Sequence, residues 1–181
     1  MLTRLAVAAV CTFALAAAPA LAQLDTGIAA PAFTAQASMA GSDFTFNLQD
    51  ALKKGPVVLY FYPAAFTTGC TKEAHEFADH IADYQKYNAT VIGVSEDDIA
   101  TLDKFSVSEC RSKFAVAADS QGKIAQEYDA MLTTTPKMYA NRTSYVIGQD
   151  GKVVYAYTAL DPSQHVQNTL DALKKLESKN S

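Results

Sequence analysis

With 181 residues, 49% of them hydrophobic, 9 Phe, 9 Tyr and no Trp, the chain has enough apolar material for one domain with its own core. The formal charge of −4 comes with scattered basic residues, only Lys53-Lys54 and Lys174-Lys175 being adjacent, which excludes the clustered Lys and Arg of a nucleic-acid footprint. No stretch is polar or repetitive enough to read as a disordered arm or an internal repeat.

Residues 1–22 stand apart. Arg4 precedes an apolar run from Leu5 to Ala18, and Ala20-Leu21-Ala22 offers a small-x-small cleavage site, the pattern of a secretory signal peptide. The run is shorter than the ~20 residues that span a bilayer, so a membrane anchor is not expected. Cys11 raises a lipid-attachment alternative, but Ala8-Ala9-Val10 suits it poorly and the apolar run continues past it. Cleavage after Ala22 leaves residues 23–181 as one domain, exported to a compartment of periplasmic kind. Two cysteines remain in it, Cys70 and Cys110. In an oxidising compartment they read first as a pair, either a structural staple or a redox couple.

In chain order, residues 32–34 and 44–48 read as edge strands, with breakers at Gly41, Ser42 and Asp43 between them. Residues 57–62 form a continuous apolar run between Gly55-Pro56 and Pro63, which predicts a buried central strand. Over residues 71–87 the period changes: Ala74, Phe77, Ala78, Ile81 and Tyr84 mark one face of an amphipathic helix. A second buried strand is expected at 90–94. Ser95, followed by Glu96, Asp97 and Asp98, reads as the capped start of a helix reaching about residue 113, with Leu102, Ser106 and Cys110 on one stripe. A strand at 115–118, a short helix at 122–128, a hairpin of 143–147 with 153–157 and a last helix after Asp161-Pro162 complete the chain. This order predicts a three-layer α/β/α domain of thioredoxin-like kind with a mixed central sheet.

The segment Pro63-Ala64-Ala65-Phe66-Thr67-Thr68-Gly69-Cys70 joins the central strand to the first long helix. It puts Cys70 in or just before the first helical turn, where unpaired N–H groups and the helix dipole favour a thiolate. It also puts Cys70 at the carboxyl end of a strand, where open α/β sheets carry their sites. Cysteine is often a small buried apolar residue, but a Gly-Cys step beside Thr67, Thr68 and Thr71 is not an apolar pocket.

Pro63, Thr67 and Cys70 match the pattern Pro-x-x-x-Thr-x-x-Cys, Glu73 follows as usual, and Arg142 opens a later strand. On these motifs the chain resembles the peroxiredoxins, nearest the peroxiredoxin Q or bacterioferritin-comigratory-protein-like subgroup. The resemblance implies a thiol peroxidase in which the Cys70 thiolate attacks a hydroperoxide and becomes a sulfenic acid. Thr67 and the Cys70 N–H would hold the peroxide, Arg142 would lower the thiol pKa and orient the oxygens, and Pro63 would shape the loop. Glu73 would orient Arg142 or the loop unless it is only an acid favoured at a helix start. No cofactor, metal, nucleic acid or membrane is implied; the expected partners are the hydroperoxide and a thioredoxin-like or low-molecular-weight thiol reductant, and a monomer is expected. Many members of the subgroup carry a second cysteine five residues after the first, where this chain has His75. Cys110 is then the expected resolving thiol, and a one-cysteine cycle is the alternative.

Two other readings compete. A thioredoxin-type oxidoreductase would need Cys-x-x-Cys, but the fourth position is Glu73. A structural Cys70–Cys110 staple leaves Pro63, Thr67 and Arg142 without a reason. His75, His80 and His165 lack metal-ligand spacing and are expected at surface or half-buried positions. Sequons at Asn88 and Asn141 are patterns common by chance, and a glycan on Asn141 would crowd Arg142.

Overall fold

In the computed structural model, residues 23–132 and 139–180 are described; the expected leader lies outside them. Two small-residue strands open the fold. β1 (Thr34–Met39) and β2 (Ser42–Asn47) pair directly as a hairpin, Met39 opposite Ser42, around a turn of Ala40 and Gly41. Both turn residues have positive φ (54° and 75°), the geometry of the tightest hairpin turns. The sequence reading had placed a strand at 32–34 and treated residues 41–43 as breakers. It missed β1 because the inward residues are Ala35, Ala37 and Ser38, too small to stand out as an apolar run. Ser38 is small because a later helix lies on it, its hydroxyl 3.2 Å from that of Ser106, while Ala35 and Ala37 face the opposite side of the sheet.

Asn47 ends β2 and caps a short helix, α1 (Leu48–Leu52), by accepting from Asp50 N–H at 3.0 Å. The continuous apolar run is β3 (Val57–Phe61), buried at every residue. Its side chains alternate between two cores: Val57, Leu59 and Phe61 enter one, Val58, Tyr60 and Tyr62 the other. This requires cover on both faces. Helices α2 (Thr68–Asp79), α3 (Ile81–Lys86), α4 (Ile99–Ser108) and α6 (His165–Asn180) bury the second face, while α1 and α5 (Lys123–Glu127) bury the first.

The remaining strands are β4 (Thr90–Ser95), β5 (Ala115–Ala118), β6 (Thr143–Ile147) and β7 (Val153–Thr158). The seven-stranded sheet has the order β2-β1-β5-β4-β3-β6-β7. β3, β4 and β5 run parallel; β1 and β6 flank them antiparallel. The expected mixed, three-layer thioredoxin-like fold is therefore present, but β1 is an interior strand and only β2 and β7 form edges.

Two helix boundaries differ from expectation. The helix expected over 71–87 begins earlier, at Thr68, and breaks at His80, whose φ of −99° and ψ of 8° leave the helical region. The second acidic segment starts its helix later: Asp98, not Ser95, is the N-cap, accepting from Thr101 N–H at 2.8 Å. Ser95 stays in β4, paired with Ala118. That helix stops at Ser108 because Arg111 and Ser112 adopt left-handed backbone (φ 52° and 57°), so Cys110 sits in the turn after α4.

Candidate active site

The loop between β3 and α2 leaves the carboxyl end of the sheet beside β4, Tyr62 N–H still donating to Val94 O at 3.1 Å. Thr67 is the residue before α2, extended at φ −78° and ψ 151°. Its hydroxyl donates to Ala64 O at 2.9 Å and does not cap the helix. Thr71 N–H closes the first turn onto Thr67 O at 2.8 Å, so the N–H groups of Thr68, Gly69 and Cys70 precede the helical ladder. Cys70 is the third helical residue and only 2% exposed. Pro63 is half-buried at the loop's start, and the exposed Phe66, at φ 61°, stands edge-on to Phe105 with ring centres 5.3 Å apart.

Arg142 comes from the residue just before β6, which pairs antiparallel with β3 so that Thr143 lies opposite Phe61. That register carries Arg142 to the end of the sheet from which the Cys70 loop departs. Its guanidinium makes three directed contacts. Nη2 donates to Cys70 Sγ at 3.4 Å, Nη1 donates to Glu73 Oε2, and Nε donates to Leu160 O at 2.9 Å. A planar fork held at two other points can present its remaining N–H groups in one direction. Gly69 makes the approach possible: a Cβ there would lie 3.0 Å from Arg142 Nη2.

Beneath the guanidinium, Glu73 is fully buried. Burial pushes its carboxyl up to about 8, with the charge and hydrogen bond of Arg142 pulling back. Burial works against the Arg142 cation, but the neighbouring Glu73 and Cys70 outweigh it and hold its pKa above the ordinary value. His165, expected near the surface, is instead fully buried, because the turn at Pro162–Gln164 delivers it onto β6. Burial lowers it to about 4, with Ala159 O opposing and Arg142 adding to the drop, so the ring is neutral. Nε2–H then donates to Ala159 O at 2.9 Å and Nδ1 accepts from the Ser144 hydroxyl at 2.8 Å. The 3.7 Å approach of Nδ1 to Glu73 Oε1 is therefore no ion pair.

Cys110 shares a core with Cys70, Tyr60, Tyr62, Phe77 and Phe105, and both thiols are free. It is fully buried, and burial, with Glu109 next to it, pushes its thiol well above the ordinary value. Its turn is fastened to the Cys70 helix from outside. His75 Nε2 meets Glu109 Oε2 at 2.8 Å, Arg111 pairs with Asp79, and Lys113 Nζ donates to Ala78 O at 3.0 Å.

Cys70, Glu73 and Arg142 thus converge, with Pro63 and Thr67 on the loop that leads to Cys70, whereas Cys110 lies in the same core without a direct bond to them. Sequence reasoning missed Gly69, His165 and the use of Glu96 and Asp97. The last two had a signal, an acid pair at a strand end, but a helix cap explained it equally well. Among the described residues no group of His, Cys, Asp and Glu could hold a metal ion, and no helix is long and apolar enough to cross a membrane.

A cysteine thiol in a first helical turn, faced by an anchored arginine on a thioredoxin-like sheet, is an arrangement suited to thiol-based redox chemistry. The chain belongs to the AhpC/TSA family, whose profile matches residues 26–156. It is similar to the chloroplastic peroxiredoxin Q of Triticum aestivum, 35% identical over 91% of this chain and 77% of that protein. Similarity to a putative peroxiredoxin bcp of Helicobacter pylori covers 83% of this chain and 99% of that one at 32% identity. Among solved structures, peroxidoxin BcpB from Mycobacterium tuberculosis superposes with a TM-score of 0.74 at 30% identity, covering 83% of this chain and 96% of the other. The chain is accordingly a peroxiredoxin, an oxidoreductase of the peroxidase class.

Proposed function

We propose that the chain is an exported hydroperoxide reductase with a two-cysteine cycle. The observation that carries the reading is the Cys70 Sγ facing Arg142 Nη2 at 3.4 Å, with Arg142 itself held by Glu73 and Leu160 O. The Cys70 thiolate attacks one oxygen of hydrogen peroxide or an organic hydroperoxide. The S–O bond forms as the O–O bond breaks, and the leaving oxygen takes a proton to depart as water or alcohol, leaving Cys70 as sulfenic acid. Charge moves from sulfur toward the leaving oxygen, so preorganised donors along that line lower the barrier. Arg142 is the main donor. Thr67 joins it on turning its hydroxyl from Ala64 O toward the peroxide, and Pro63 shapes the loop without adding a competing N–H donor.

Cys110 then attacks the Cys70 sulfur as a thiolate, expels the sulfenic oxygen as water and forms Cys70–Cys110. A dithiol protein of thioredoxin type supplies the two electrons that restore both thiols. Because Cys110 is fully buried, this step requires its turn and the first turns of α2 to open. The same burial favours a second reading, a one-cysteine cycle in which an external thiol reduces the sulfenic acid. The working form is a monomer, exported by the signal-peptide pattern of residues 1–22 and reduced in the periplasm.

Intact mass and free-thiol counts of the mature protein, before and after one equivalent of hydrogen peroxide, test this. Rapid loss of both thiols with a two-unit mass decrease supports the two-cysteine cycle. A Cys70 sulfenic acid with Cys110 still reduced selects the one-cysteine form. Reaction no faster than that of a free thiol sinks the peroxidase reading. An N-terminus at Gln23 in protein recovered from the periplasm checks export.

A further inference from the structure

The two halves of the site come from chain segments far apart in sequence, and neither is in regular structure where it matters. The Cys70 half hangs on the loop of residues 63–67, and the Arg142 half on the approach to β6. Both lean on the same two neighbouring side chains at the end of β4. Asp97 Oδ2 accepts from Ala65 N–H at 2.7 Å and from the Ser95 hydroxyl at 2.8 Å. Glu96 Oε2 accepts from Ala140 N–H at 2.9 Å, two residues before Arg142.

The backbone under these acids is itself fixed. Val94 O receives Tyr62 N–H at 3.1 Å, and Ser95 O receives Asp119 N–H at 2.8 Å, so the end of β4 is tied to the strand regions on both sides. Glu96 and Asp97 follow β4 directly, and from there Asp97 reaches the loop after β3 while Glu96 reaches the segment before β6. Loop backbone bonded to a carboxylate has less freedom than the same loop in water, since charge-assisted hydrogen bonds are short and strong. The exposed Phe66 in left-handed backbone, one residue beyond Ala65, is a position that needs such support.

We infer that Glu96 and Asp97 are positioning residues that clamp the Cys70 loop and the Arg142 segment to one strand end and so set the sulfur–guanidinium alignment. Neither touches the reacting atoms. Their effect passes through Ala65 to Cys70 and through Ala140 to Arg142, so the inference rests on the peroxidase reading of that site.

The test compares two reactions of Cys70 in the full mature chain, followed by mass spectrometry of the Cys70 peptide. Oxidation by hydrogen peroxide in a single turnover depends on the alignment of donor, sulfur and leaving oxygen; alkylation by iodoacetamide depends on the thiolate fraction and its access and needs no such alignment. Asp97→Ala and Glu96→Ala are each expected to slow peroxide oxidation about 10- to 100-fold, since small misplacements of reacting groups cost that much. Alkylation is expected to change by less than about threefold, and Asp97→Asn, which keeps a carbonyl to accept from Ala65, to recover most of the peroxide rate. Peroxide and alkylation rates that fall together, or a peroxide rate that does not fall, overturn the clamp. If Asp97→Ala does not fold, Glu96→Ala decides alone, because its carboxylate bonds the other half of the site. A native protein that reacts with peroxide no faster than a free thiol defeats the peroxidase reading instead, whatever the variants do.

Discussion

Cys70 and Cys110 lie in one core and are equally hidden from water, yet their surroundings oppose each other. Cys70 follows a helix N-terminus and faces a guanidinium; Cys110 follows a helix C-terminus and has Glu109 beside it. Positive ends and cations favour a thiolate, negative ends and carboxylates disfavour it. The sign of the neighbouring charge, and not burial, distinguishes the two thiols. The contrast divides the labour in the proposed cycle. One thiol is ready in the closed fold, and the other becomes a nucleophile only when its turn opens.

The sharpest way to break the comparison is to remove the charge that distinguishes the two sites. Arg142→Ala is expected to lower the second-order rate of Cys70 oxidation by peroxide about 10²- to 10³-fold, the usual loss when an oxyanion-type donor goes. Stopped-flow measurement of the first turnover reads it. A rate within about threefold of the native one would mean that the helix N-terminus suffices.

Gly69→Ala probes the same contact without removing any charge. A Cβ 3.0 Å from Arg142 Nη2 forces a guanidinium held by Glu73 and Leu160 to give way. The expected cost is about tenfold in the peroxide rate, with little change in the circular dichroism spectrum.

The buried acid under Arg142 gives the site a pH signature in stability. Folded Glu73 keeps its proton up to about 8, whereas its ordinary value is 4.5, so the folded state holds the extra proton between those limits. Stability therefore falls as pH rises across that window. His165 acts the other way: its folded value near 4 lies below the ordinary 6.5, so stability rises with pH between them and that gain is complete above 6.5. Between pH 6.5 and 8 only Glu73 contributes of the two. The thermal midpoint is expected to fall across that interval by about 5 °C in the native protein and to stay level in Glu73→Gln. A level native profile would mean that Arg142 holds Glu73 ionised throughout.

The smallest effects belong to the outer fastenings of the Cys110 turn. His75→Ala and Arg111→Ala each remove one half-exposed polar pair between that turn and α2. Such pairs contribute at most about 1 kcal/mol, so each loss is expected to speed Cys70–Cys110 formation about two- to fourfold by easing the opening. Quenched-flow thiol trapping measures this. Slower disulfide formation would show that the pairs guide the closure of the bond and do not restrain it.

Much of this was legible in the chain. The run at β3 and the period of α2 are strong because central strands and amphipathic helices bury large side chains at fixed spacing, and the turn Gly148-Gln149-Asp150-Gly151 marks the hairpin of β6 and β7. Pro63, Thr67, Cys70, Glu73 and Arg142 formed two separated motifs, and the fold brings them together. What failed to register was small or local. The buried residues of β1 are only Ala and Ser, the Ala40-Gly41 turn lacks the usual Asn-Gly signal, and α4 is followed by two non-glycine residues with positive φ. None of these has a periodic apolar signature. His165 was misjudged because a polar ring can be buried once Ser144 and Ala159 satisfy both nitrogens, and those partners lie in other elements.

Sequence alone thus determined most of the sheet-and-helix order and the family motifs that single out Cys70. These depend on side-chain type and short-range spacing, which a linear chain displays. Only the tertiary structure decided that Gly69 makes room for Arg142, that Glu73 sits dry beneath it, that Glu96 and Asp97 hold both halves of the site, and that Cys110 is locked under its turn. Each of those facts is a distance or a burial between segments tens of residues apart, and the electrostatics of a buried charge exist only once the chain has closed around it.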